Sequence, residues 1–124
     1  MIGLALKLLA EGRKVEIEVG GMSMAPLIRR GDRIVVAPVR EDELALHDIV
    51  VVRTDGKLLA HRVVALAPLR TKGDLADEVD PEWPTDSVVG RVIGVRRDQR
   101  LVSLHSLEGL VRNWWSRLRS RFAI

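Results

Sequence analysis

The chain has 124 residues, with 20 Lys+Arg against 17 Asp+Glu for a formal charge of +3, a length and balance that favour one small domain. A hydrophobic share of 47% beside 30% charged residues excludes wholesale disorder. The absence of cysteine excludes disulfides, thiolate metal sites and a thiol nucleophile, and aromatics at 3% weaken any stacking platform for single-stranded nucleic acid.

In chain order, Ile2 to Ala10 is an apolar stretch broken by Lys7, far short of the roughly 20 residues a spanning helix needs, and it predicts a short opening helix. Glu11 follows where a small-residue cleavage site would stand, so the stretch does not read as a cleavable signal. Lys14 to Val19 alternates charged and apolar residues, the period of a half-buried strand that Gly20-Gly21 then breaks. Four further β-branched runs follow, Arg33 to Val36, Ile49 to Arg53, Leu58 to Ala65 and Val88 to Val95. Asp55-Gly56 is a two-residue hairpin signal that pairs the second and third of these runs antiparallel. Gly73 to Asp86 carries six acids, two prolines and no basic residue, and reads as a loop. Leu107, Leu110, Val111, Trp114, Trp115, Leu118 and Phe122 fall at steps of 3 and 4, interleaved with Arg112, Arg117, Arg119 and Arg121. They predict a basic amphipathic helix over about 105–122. Its apolar face either packs on the domain's own core or lies in an anionic membrane interface. The expected fold is mostly β, a single peptidase-like domain of residues 1–124 with its core at 14–104 between the two helices.

Three places could carry chemistry. Ser23 sits in Gly20-Gly21-Met22-Ser23-Met24-Ala25-Pro26, a turn that exposes a side chain and brings N–H groups toward a bound carbonyl. Such a serine also serves simply to bond its own turn. His61, 38 residues later on a strand, can be held rigidly as a general base, or equally be a hydrogen-bonded core residue. Asp74 and Asp80 lie in the acidic loop, where a carboxylate could orient the imidazole or be merely solvated. His47 and His105 sit in a polar turn and at a helix start. No pair of histidines has metal-ligand spacing, so neither metal nor cofactor is expected.

Gly-x-Ser-Met-x-Pro around Ser23, then Gly31-Asp32, His61-Arg62-Val63, Lys72-Gly73-Asp74 with a later Asp80, and Val89-Gly90-Arg91-Val92, in this order, resemble the type I signal peptidase family. The match runs from about Gly20 to Val95. His61 stands where the eukaryotic and archaeal branch has a histidine base and most bacterial members a lysine. The resemblance implies a β-rich serine endopeptidase with Ser23 as nucleophile, His61 as base and Asp74 and Asp80 as the acidic pair. Asp74, fixed directly behind an expected strand, is the favoured partner of His61. Gly21 offers no side-chain hydroxyl, so backbone N–H groups must hold the oxyanion, with Gly21, Met22, Met24 and Pro26 around the serine as substrate-binding positions. Substrates would be leader or signal-type precursor peptides with small residues before the scissile bond, docked as an added strand. Family members usually carry a transmembrane anchor, and after Gly73-Asp74 they usually continue with asparagines, whereas this chain lacks such a helix and reads Leu75-Ala76. A cytoplasmic protein is therefore expected, peripheral at the membrane if the C-terminal helix binds lipid. Related self-cleaving repressors of the DNA-damage response add a DNA-binding module that is not expected here, nor is any nucleic-acid partner. The rival readings are a catalytically inactive peptide-binding module and a membrane-surface adaptor.

Overall fold

The computed structural model of the chain describes residues 2–84 and 86–108. An opening helix α1 (Ile2–Ala10) leads to seven strands: β1 (Val15–Glu18), β2 (Arg33–Ala37), β3 (Ile49–Thr54), β4 (Lys57–Leu66), β5 (Leu69–Lys72), β6 (Val88–Arg97) and β7 (Arg100–Ser103). They form one antiparallel sheet in the order β1-β2-β6-β3-β4-β5, with β7 added to β6. The protein is mostly β, and the five runs expected from the sequence all form strands. Two short strands, β5 and β7, come in addition to them.

The sheet carries apolar residues on both faces. In β3, Ile49 and Val51 join one core with Leu9 of α1, Met24, Ile28, Ile34 and Val92. Val50 and Val52 join a second core with Leu44 and Val63. An uninterrupted apolar run over Ile49 to Val52, rather than an alternating one, is what burial on both faces requires. Each such side chain contributes about 1.5–3 kcal/mol when withdrawn from water. The β3–β4 hairpin closes through Asp55-Gly56 with φ of 48° and 72°, the left-handed pair of a two-residue turn that matches strand twist. Beyond β7, residues 104–108 are helical, one residue earlier than expected, with Leu104 and Leu107 buried in the first core. The remainder of the expected helix, with Trp114, Trp115 and Phe122, lies outside the described residues. Among the described residues no helix is long and apolar enough to cross a membrane.

Among the strand edges left unpaired in the described residues are those of β1 and of the first half of β4. β1 pairs only with β2, and the first half of β4 pairs only with β3, because β5 joins β4 from Arg62 onward.

Candidate active site

The segment bearing Ser23 leaves the sheet after β1 and returns just before β2. Its ends are pinned together, the Val19 N–H donating to Asp32 O at 2.8 Å and the Gly31 N–H to Val19 O at 2.9 Å. Met24, Leu27 and Ile28 sink into the first core and anchor the excursion, while Ser23 beside them stays exposed. Arg97 of β6 grips the return: its guanidinium donates to both Asp32 carboxylate oxygens at 2.9 and 2.7 Å and to Leu27 O at 3.0 Å. Burial pushes the Asp32 carboxyl up, but the bonds from Arg97 and from the Arg29 N–H outweigh it and hold the group below its ordinary value. A charged, doubly clamped Asp32 thus fixes the base of the serine loop.

His61 sits in β4 opposite Val50 and is 7% exposed. Its Nδ1 lies 2.6 Å from Asp80 Oδ2, and because a carboxylate only accepts, the ring nitrogen is the donor of this bond. The other ring nitrogen, Nε2, is buried and bonds to nothing among the described residues. Gly73 shows what Nε2 faces. A methyl group placed on Gly73 would stand 3.1 Å from His61 Nε2 and 3.3 Å from Ser23 Cβ, so serine and imidazole flank one methyl-sized space that only glycine leaves open. The loop behind Gly73 is stapled to the serine, the Leu75 N–H donating to Ser23 O at 2.9 Å and the Asp74 N–H to Met24 Sδ at 3.3 Å. Ser23, His61 and Asp80, 57 residues apart in sequence at the extremes, come together through three segments that hold one another.

The favoured assignment of Asp74 to His61 is not what the fold builds. Asp74 makes a two-pronged pair with Arg62, whose Nε and Nη2 each donate at 2.9 Å. Strand alternation explains it: Arg62 points to the face opposite His61, and Asp74, leaving β5 beside it, follows Arg62. The Asp74 carboxylate, with a further pull from Glu108, holds the Arg62 guanidinium above its ordinary value despite burial. Asp80 reaches His61 because the acidic loop curls back, its N–H donating to Thr71 O at 2.8 Å. His47 is exposed and offers its carbonyl to Arg62 Nη1 at 2.8 Å, and His105 is exposed at the start of the last helix. Lys72 Nζ donates to Gly73 O, while Lys57 is exposed at the far end of β4.

Sequence reasoning passes over Arg62, Thr71 and Trp83. Arg62 lies inside the His61-Arg62-Val63 motif, which assigns it no role. Trp83 has a signal of its own, as the one aromatic residue in an otherwise acidic, proline-containing loop.

Beside Ser23 runs a cleft of about 130 Å³ between the edges of β1 and β4, walled by Ile17, Val19, Gly21, Met24, Leu58 and Ala60. It is apolar and far below the roughly 300–1,000 Å³ of a drug-sized pocket, so it suits small side chains. Gly21 and Met24 line it, whereas Met22 and Pro26, expected there, do not. No described residue accepts the Ser23 N–H, which leaves that donor available beside the hydroxyl. A family model described as Peptidase S24-like matches residues 4–69, just over half of the chain, taking in Ser23 and His61 and ending before Asp74 and Asp80. No curated protein matches the chain.

Proposed function

From the premise that the chain belongs to the S24-like peptidase family, we propose a serine endopeptidase that works through Ser23, His61 and Asp80. The observation that carries this reading is the single methyl-sized space at Gly73, bounded by Ser23 Cβ on one side and His61 Nε2 on the other. In the proposed reaction Ser23 Oγ attacks the scissile carbonyl carbon while His61 Nε2 accepts the hydroxyl proton. Asp80, bonded to Nδ1–H, keeps the ring in the tautomer whose Nε2 lone pair is free and stabilises the imidazolium that forms. The carbonyl oxygen, now an anion, is met by the Ser23 N–H and neighbouring loop amides. His61 returns its proton to the leaving amine, and a water, deprotonated by the same nitrogen, cleaves the acyl-enzyme and restores Ser23. Asp74 takes a supporting part, holding with Arg62 the loop that bonds to Ser23 O.

The cleft fits an extended peptide. β1 and the first half of β4 each present an unpaired edge to it, so a substrate strand can add backbone hydrogen bonds on entering. The narrow apolar wall favours small residues before the scissile bond, and the resemblance to type I signal peptidases makes leader or signal-type precursors the substrate class. Mass spectrometry of such precursor peptides, incubated with the protein or with Ser23→Ala, tests the proposal. Cleavage after a small residue that disappears in Ser23→Ala supports it. Binding without cleavage by the parent protein would instead make the cleft a peptide-binding module.

A further inference from the structure

Behind Asp80 the hydrogen-bonded chain continues. The Trp83 indole N–H donates to Thr71 Oγ1 at 2.7 Å, and the Thr71 hydroxyl donates to Asp80 Oδ2 at 2.7 Å. The directions are forced, because an indole nitrogen can only donate. Thr71 Oγ1 must therefore accept from Trp83, and its one proton is left for the carboxylate. The oxygen it reaches is the same Oδ2 that takes the His61 Nδ1–H at 2.6 Å. Thr71 is fully buried and lies opposite Val63 in the β4–β5 pair, two residues from His61 on the same face of β4. It holds Asp80 twice, by its hydroxyl and by its carbonyl, which accepts the Asp80 N–H. Trp83 is itself fixed, packed against the second core of Val50, Val52 and Val63.

We infer that Thr71 and Trp83 are positioning residues that extend the Ser23-His61-Asp80 set, aiming the Asp80 carboxylate and so fixing the His61 tautomer that leaves Nε2 free. The inference rests on the proposed peptidase reading for its catalytic consequence, though not for the tautomer itself. A hydroxyl serving only to fill the core would be replaced by the isosteric Thr71→Val with no change at the imidazole. A hydroxyl that aims Asp80 would not. Losing one hydrogen bond to a charged group is worth about tenfold or more in rate.

The test uses the intact protein with two readouts, nitrogen NMR of the His61 ring and the rate at which a fluorophosphonate acylates Ser23. The parent should show His61 protonated at Nδ1 and bare at Nε2. Thr71→Val should mix the tautomers and slow acylation by about tenfold or more, Thr71→Ser should restore both, and Trp83→Phe should fall between. Unchanged tautomer and rate in Thr71→Val and Trp83→Phe would overturn the inference. If Thr71→Val fails to fold, Trp83→Phe and Thr71→Ser still decide it by the same readouts. A parent protein whose Ser23 resists acylation would count against the peptidase reading alone, and the ring tautomers would still judge the relay.

Discussion

At the scale of single residues, Gly73 is the position where the site is most tightly drawn. A methyl there would press on His61 Nε2 at 3.1 Å, Ser23 O at 3.2 Å and Ser23 Cβ at 3.3 Å, each closer than ordinary van der Waals contact. Gly73→Ala should therefore lower turnover by about tenfold or more by prising the proposed nucleophile and base apart, and should lower the melting temperature as well, because His61 is buried and the Ser23 carbonyl is backbone. Kinetics and thermal melts on the same preparation check this, and an unimpaired Gly73→Ala would mean that the space is not the reaction centre. The residue types of the site were legible in sequence, since Ser23 and His61 sit in ordered motifs. The choice between Asp74 and Asp80 was not. Nearness in sequence to a strand end favoured Asp74, but side-chain direction decides, and alternation along β4 assigns Asp74 to Arg62.

Among the elements, the strands with strong β-branched patterns were readable, and the hairpin at Asp55-Gly56 was announced by its glycine. β7 was not, because its turn is Asp98-Gln99, which adopts φ of 51° and 66° without any glycine to signal it. β5 is only four residues long and starts directly after Ala67-Pro68, so the sequence offered a strand end before Asp74 but too little periodicity to bound the strand. The long strand β6 contains a second close approach. It must pair with β2, β3 and β7, and at Gly90 a methyl group would lie 2.5 Å from Val36 Cγ1 and 2.8 Å from Ala37 O. Val36 is fully buried and Ala37 O is backbone, so neither can give way cheaply. Gly90→Ala should cost about 1–3 kcal/mol in a denaturant titration, the usual range for overpacking a core. A variant as stable as the parent would contradict the tight β2–β6 crossing.

For the molecule as a whole, the clamp between Asp32 and Arg97 joins the serine loop to the far half of β6 and makes stability depend on pH. Asp32 is held below its ordinary value in the folded protein, so in acid the unfolded chain takes up the proton first. The stabilisation is complete above the ordinary carboxylate range and is lost as pH falls through and below it. Chemical denaturation between neutral pH and about pH 3 should show the parent losing more stability than Asp32→Asn, whose amide cannot titrate. Equal losses would remove Asp32 from the balance. Fold class was legible at this scale because alternating and doubly buried runs dictate a sheet. The meeting of β1 and β4 across the cleft was not, since it depends on strand pairings far apart in sequence.

On the proposed function Ser23, His61 and Asp80 act as one unit and Asp74 stands outside it. Intact-mass measurement of fluorophosphonate labelling tests it most directly, on the parent and on Ser23→Ala, His61→Ala, Asp80→Asn and Asp74→Asn. A single adduct is expected, on Ser23, absent from Ser23→Ala, slowed by about 10³-fold or more in His61→Ala and Asp80→Asn, and affected far less in Asp74→Asn. Labelling at the parent rate in His61→Ala, or a larger loss in Asp74→Asn than in Asp80→Asn, would contradict it.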